Sequence, residues 1–206
     1  MPTPPEVRSA RHDETGALAR TLAAAFQDDP LMEWLWPDPR RRVLGLLRFF
    51  ATRTRHQHFA SGGVDIALDP AGAIGGAALW DAPGKWKPSP WREIRMFPQL
   101  ARAFGGRLRA GKELVDLMSG VHPDEPHWYL ATLGTDPDRR GHGFGAALLW
   151  SRLEQCDRAG VPAYLESSKQ VNISYYERFG FEVTATVTVP GGPDLWLMWR
   201  APRSHG

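Results

Sequence analysis

The segment TDPDRRGHGFGAALLW, Thr135 to Trp150, sets Gly141, Gly143 and Gly145 at alternate positions between two apolar runs. Glycine accepts left-handed backbone, so successive N–H groups there can turn into one concavity and hold an anion. A helix starting at the same place adds the positive end of its dipole. Arg139 and Arg140 add side-chain charge, and Ala146 and Ala147 keep the first turn slim. The pattern predicts a phosphate or pyrophosphate site. Spacing rules against two nucleotide loops. There is no G-x-x-x-x-G-K-[ST] run, and G-x-G-x-G late in a chain is not a dinucleotide fingerprint. Taken alone, the glycines could equally serve only a tight turn.

The elements that would position this turn are readable from periodicity. EVRSA (6–10) reads as a first strand. A helix follows, with Leu18, Leu22, Ala25 and Phe26 at helical spacing, Asp13 as its N-cap and Pro30 as its stop. After the aromatic connection LMEWLWPDP comes a second helix from 40 to 59, with Val43, Leu46, Leu47 and Phe50 on one face. Residues 64–69 and 73–80 read as two strands joined at Pro70–Gly72. Residues 82–125 include Pro83, Pro88, Pro90 and Pro98, with two helical pieces, near 92–103 and 107–119, and no clear strand. This reads as a helical insertion or lid. A strand at 127–135 enters the glycine turn, and a helix leaves it at Gly143–Ala159, with Trp150, Leu153 and Cys156 available for burial. Then come a strand at 161–168, a short helix at 172–180 closed by Gly180, and a hairpin turning at 190–192. The order implies one α+β domain over 1–206, on a mixed, mostly antiparallel sheet of about six to seven strands flanked by helices.

LGTDPDRRGHGFGAALL, then LESS, then NISYYERFGF together resemble the GCN5-related N-acetyltransferase (GNAT) superfamily. The match to R-x-x-G-x-G falls on Arg140, Gly143 and Gly145. Arg140 stands where many members carry Gln. Within the superfamily, residues 15–32 and 126–200 are similar to enzymes of the puromycin N-acetyltransferase kind, whereas 82–125 gives no comparable match. The resemblance implies a sheet splayed between its fourth and fifth strands, with acetyl-CoA lying in the split. Leu133, Gly134 and Thr135 would meet the coenzyme arm, and an N–H near Leu133 would face the thioester oxygen. Arg139, Arg140, Gly141, His142, Gly143, Phe144, Gly145 and Ala146 would surround its pyrophosphate. Asn172 would bond the arm, although it could also cap the following helix.

The same resemblance implies direct acetyl transfer to an amine, with Tyr176 as general acid for the departing thiolate. A phenol of pKa about 10 can protonate a thiolate of pKa about 8.5, with a small driving force. Tyr175 points elsewhere, because adjacent helical residues do not share a face. Glu166, at the end of an apolar strand, is the favoured general base. Asp28, Asp29, Glu33 and water are its alternatives. The acceptor class is a small-molecule primary amine, such as the aminonucleoside puromycin, which would make this an antibiotic-resistance activity, or a related aromatic amine. A protein or peptide amine, or a silent acyl-CoA-binding module, are the other readings. Trp34, Trp36, Trp80, Trp86 and Trp91, with His127 and Trp128, would surround the acceptor. Relatives also imply a homodimer.

Composition narrows the remaining classes. The 206-residue chain has net charge +2 and no concentrated basic stripe, so a nucleic-acid partner is not expected. No apolar run reaches a membrane span. MPTPPEV lacks the basic and apolar regions of a signal peptide. One cysteine, Cys156, cannot pair within the chain. These features point to a cytoplasmic protein. His56 and His58 stand two apart, off any shared helical face, and no metal-ligand set is present.

Overall fold

The computed structural model describes residues 4–203. Of the Pro-rich opening read at 1–5, residues 1–3 lie outside it. The chain runs β1 (Glu6–Ser9), α1 (Thr15–Ala25), α2 (Pro30–Leu35), α3 (Pro39–Arg53), α4 (Phe59–Ser61), β2 (Val64–Leu68), β3 (Ile74–Asp81), α5 (Pro90–Phe104), α6 (Leu108–Val121), β4 (Trp128–Thr135), α7 (Phe144–Ala159), β5 (Ala163–Ser167), α8 (Ile173–Glu177), β6 (Glu182–Thr188) and β7 (Asp194–Arg200). One seven-stranded sheet has the order β1-β2-β3-β4-β5-β7-β6. All neighbours are antiparallel except β4 and β5. The mixed sheet inferred from sequence is present, with seven strands.

Strand alternation divides the core into two layers. Val64, Ile66, Ala77 and Leu79 point to the face covered by α1, α2, α3 and α6, where Leu18, Leu22, Leu46 and Phe50 are almost fully buried. Ala67, Ala78, Trp80, Leu130 and Leu165 point the other way, onto Phe144, Leu148, Leu149 and Leu153 of α7. Every residue of β2 is therefore buried, as expected of a strand covered on both faces. Fully burying a Leu of this kind contributes about 1.5–3 kcal/mol. A buried ion pair, Arg152 of α7 to Asp65 of β2 at 2.7 Å, ties α7 to the sheet.

Several sequence expectations are corrected. Pro30 does not merely stop the first helix. It occupies the first turn of α2, where its missing N–H has no cost. Asp29 caps that helix by accepting from the N–H groups of Leu31 and Met32. The second helix leaves regular α geometry after Arg53 for a π turn over Thr54–His58. Val43 is 48% exposed, because the inward face of α3 runs through Arg42, Gly45, Leu46 and Phe50. Trp150 is 38% exposed, with its ring against Phe179. Cys156 is buried in the α7 core, and burial pushes its thiol up to about 11, as befits a packing residue.

Candidate active site

β4 and β5 pair over three positions only: Trp128 with Ala163, Tyr129 with Tyr164 and Leu130 with Leu165. On its other flank Leu130 pairs with Trp80 and Thr132 with Leu79, so Ala131 is an extra residue in β4. A bulge of this kind bends its strand. β4 turns away from β5 there, and residues 131–135 have no partner on the β5 side.

A cleft of about 630 Å³ occupies the gap. One wall is Leu133, Gly134 and Thr135. The glycine turn forms its end, and Asn172, Tyr175 and Tyr176 close the opposite wall. Gly141 and Gly143 take φ values of 84° and 83°, the left-handed region that glycine supplies without strain. The first helical bond of α7 runs from the Ala147 N–H to the Gly143 carbonyl. Among the described residues, no oxygen accepts from the six N–H groups of Gly141 to Ala146. A Cβ on Gly145 would stand 2.8 Å from the Tyr175 phenol oxygen, so a larger residue there would displace that phenol.

Charge around this row of donors is positive but partly compensated. Lys169 pairs with Asp28 at 2.8 Å, and Arg140 lies 3.7 Å from the same carboxylate. Arg139 lines the cleft but is held by Asp69 and, at 3.7 Å, by Asp136. His142 is expected to contribute its backbone N–H. Its exposed ring faces the carbonyls of Arg139 and Arg140 and does not line the cleft, so only its N–H joins the row. Burial raises Tyr175 to about 12. Tyr176 is also pushed above the ordinary tyrosine range, first by burial and then by Tyr175 and the Asp29 charge. Both phenols hold their protons at neutral pH.

A model of the Acetyltransferase (GNAT) family matches residues 20–181. The chain belongs to the GNAT family. This GNAT chain is an acetyl-CoA-dependent N-acetyltransferase. An uncharacterised N-acetyltransferase of Schizosaccharomyces pombe is 28% identical over 176 residues, 79% of this chain and 68% of the relative. A crystal structure described as histone acetyltransferase HPA2 and related acetyltransferase from Corynebacterium glutamicum superposes with TM-score 0.78 at 27% identity, covering 98% of both chains. Arylalkylamine N-acetyltransferase 2 from Aedes aegypti shares the fold at TM-score 0.61 and 14% identity, over 98% of this chain and all of that one.

The cleft of this GNAT protein fits the coenzyme. Six unpartnered donors with Arg140 and Lys169 suit a pyrophosphate. The vacant flank of β4 suits an extended, amide-bearing arm, which can pair with it as a strand would.

Glu166 is not in that cleft. It follows the last β4–β5 pair and lines a second cavity of about 790 Å³, between the sheet and α5–α6. Met96, Phe97, Leu100, Phe104 and Met118 make that cavity strongly apolar. A smaller space of about 170 Å³ adjoins both: it shares Phe26 with the coenzyme cleft and Glu166 with the larger cavity. The Glu166 side chain is 4% exposed, and its Oε1 is buried without a hydrogen-bond partner. The phenols of Tyr129 and Tyr164 face it. Burial, then the Glu166 charge, pushes both above the usual tyrosine range.

The other carboxylates are engaged elsewhere. Asp29 caps α2 and accepts from the Ser168 hydroxyl at 2.5 Å, although burial raises its pKa. Glu33 pairs with Arg42, and Asp28 with Lys169. Of the five tryptophans expected around the acceptor, only Trp86 lines the large cavity. Trp36 and Trp80 are core residues and Trp91 is 76% exposed. Trp128 packs under Arg152 instead. Sequence reading missed Lys169 and His122, which reach the two cavities from neighbouring loops. A Lys just after LESS was the available signal for the first.

Among the described residues, no three His, Cys, Asp or Glu side chains gather closely enough for a metal ion. No helix there is long and apolar enough to cross a membrane.

Proposed function

We propose that this GNAT enzyme acetylates a primary amine carried on a small apolar or aromatic body. An aminonucleoside of the puromycin type or an arylalkylamine would fit. The observation that carries this reading is the apolar cavity of about 790 Å³ with a carboxylate, Glu166, in its wall whose Oε1 has no hydrogen bond. A buried carboxylate oxygen without a hydrogen bond favours a cationic ligand group, and the apolar lining favours the rest of the ligand.

When bound, acetyl-CoA supplies an acetyl group activated as a thioester. The N–H row from Gly141 to Ala146 holds its phosphates, and the free flank of β4 orients its arm. Glu166 takes the ammonium proton, leaving a nucleophilic amine. Tyr176 keeps its proton until the sulfur needs it. Burial weakens this phenol as an acid, but the same dry cleft raises the basicity of a departing thiolate.

A lysine-bearing peptide is the second reading, favoured by the printed description of the Corynebacterium structure. Release of free thiol from acetyl-CoA, measured with puromycin, phenylethylamine and a lysine peptide, separates them. Turnover is expected with one of the first two. Turnover with the peptide alone would replace the small-molecule reading. No release with any amine, alongside normal coenzyme binding, would refute both.

A further inference from the structure

His122, at the C-terminal end of α6, has a side chain only 2% exposed, and its Nδ1 lies 3.8 Å from Glu166 Oε1. Its Nε2 lies 3.1 Å from Nε2 of His127. His127 Nδ1 in turn lies 2.6 Å from the Glu125 carbonyl. The tautomers follow from that carbonyl, which can only accept. His127 must carry its proton on Nδ1. Burial holds His127 below the usual imidazole range, so it is neutral and its Nε2 is bare. The His122 Nε2 must then be the donor between the rings. A neutral His122 accordingly turns a bare Nδ1 toward a bare carboxylate oxygen. Two buried lone-pair atoms facing each other, with no donor between them, form a site that accepts a proton.

We propose that His122 is the positioning residue of Glu166, and that the two groups together store the proton removed from the acceptor. This rests on the acetyltransferase reading of Glu166. The acceptor ammonium gives one proton to the Glu166–His122 pair, and its nitrogen forms the bond to the acetyl carbon. The carbon–sulfur bond breaks with its electron pair on sulfur. The second nitrogen proton balances the proton that Tyr176 gives to sulfur, and the stored proton leaves to solvent.

The surroundings agree. Trp86 stacks on His122 at 3.7 Å between ring centroids, a face that favours a cationic imidazole. Arg53 of α3 lines the same cavity as Glu166. Tyr129 of β4 and Tyr164 of β5 are neutral phenols. Lys87 lies above the Trp86 ring at 4.6 Å. Trp86 and His122 lie near the two ends of the 82–125 segment, so their stack clasps α5–α6 over the Glu166 carboxylate.

The test uses ¹⁵N-histidine spectra of the whole chain, with and without Glu166→Gln, beside kinetics of His122→Asn. His127 is expected as the Nδ1–H tautomer and neutral His122 as the Nε2–H tautomer. In Glu166→Gln, His122 should lose its second proton at a pH where the wild type still carries it. An unchanged His122 titration would overturn the proposal, whether or not amines are turned over. With whichever of puromycin or phenylethylamine is turned over, His122→Asn should lower kcat/KM at least tenfold. It should also shift the acidic limb of the pH profile, with coenzyme affinity unchanged. A uniform loss with an unmoved limb would also overturn it, marking His122 as structural. Coupled titration in a chain that acetylates no amine would instead refute the proposed function and leave the pair standing.

Discussion

Tyr176 and Gly143 sit in one cleft and do separable work. Gly143 is proposed to serve binding, because its φ of 83° shapes the turn that carries the N–H row. Tyr176 is the proposed proton donor to the leaving group. Gly143→Val forces a β-branched side chain into left-handed backbone, at a cost of order 1–3 kcal/mol, and should weaken coenzyme binding about tenfold or more by calorimetry. Tyr176→Phe should leave that affinity intact and lower kcat by about 10²–10⁴-fold, the usual range for a proton-transfer group. The glycine turn was legible in sequence because its chemistry is local: residue type, spacing and the helix start all lie within a few positions. Glu166 was legible as a carboxylate in an apolar strand, but not its cavity. His122 was not legible, because only the fold of α5–α6 carries it to the carboxylate.

Among elements, α7 and β3 are coupled more tightly than their separate patterns suggest. Gly75 is skipped in the β2–β3 register, where Ala67 pairs with Gly76 and Leu68 with Ile74. A Cβ on Gly75 would stand 2.5 Å from the ring of Phe144, the first residue of α7. Gly75→Ala therefore pushes on the start of the helix that carries the donor row. Overpacking of this kind costs about 1–3 kcal/mol. Urea denaturation should show that loss, and calorimetry should show weaker coenzyme binding although residue 75 lies outside the cleft lining. The two hairpins, β2–β3 and β6–β7, followed from sequence, whereas the insertion of β7 between β5 and β6 did not. The Ala131 bulge did not, since HWYLATLGT alternates no differently from an unbroken strand. Nor did α2, whose Pro30 reads as a helix stop until Asp29 is seen capping it.

For the whole molecule, the last strand is anchored by charge. Arg200 of β7 is 1% exposed and makes two bonds of 2.7 Å to Asp157 of α7, which also accepts from the Arg203 N–H. The Arg200 hydrogen bonds hold the Asp157 carboxyl below its usual range. A carboxylate whose folded pKa is depressed adds stability that is fully present above its unfolded pKa of about 3.9. That stability is lost as pH falls through the folded value. Asp157→Asn leaves Arg200 buried and unpaired, and should cost about 3 kcal/mol at pH 7. Denaturation curves of wild type and variant should converge as pH drops below 4. Sequence patterning gave no hint of this anchor, because Asp157 and Arg200 stand 43 residues apart and meet only once β7 packs beside α7.

The bend in β4 gives the protein an edge strand in the interior of its sheet. Edges elsewhere recruit foreign strands and seed aggregation. This one is recessed: Gly134 lies so close under α1 that an added Cβ would meet Leu22 at 2.8 Å, and α8 stands across the gap. The opening therefore selects by girth before it selects by charge. A single extended backbone or a thin amide-linked arm can lie along it, and a pleated partner carrying side chains cannot.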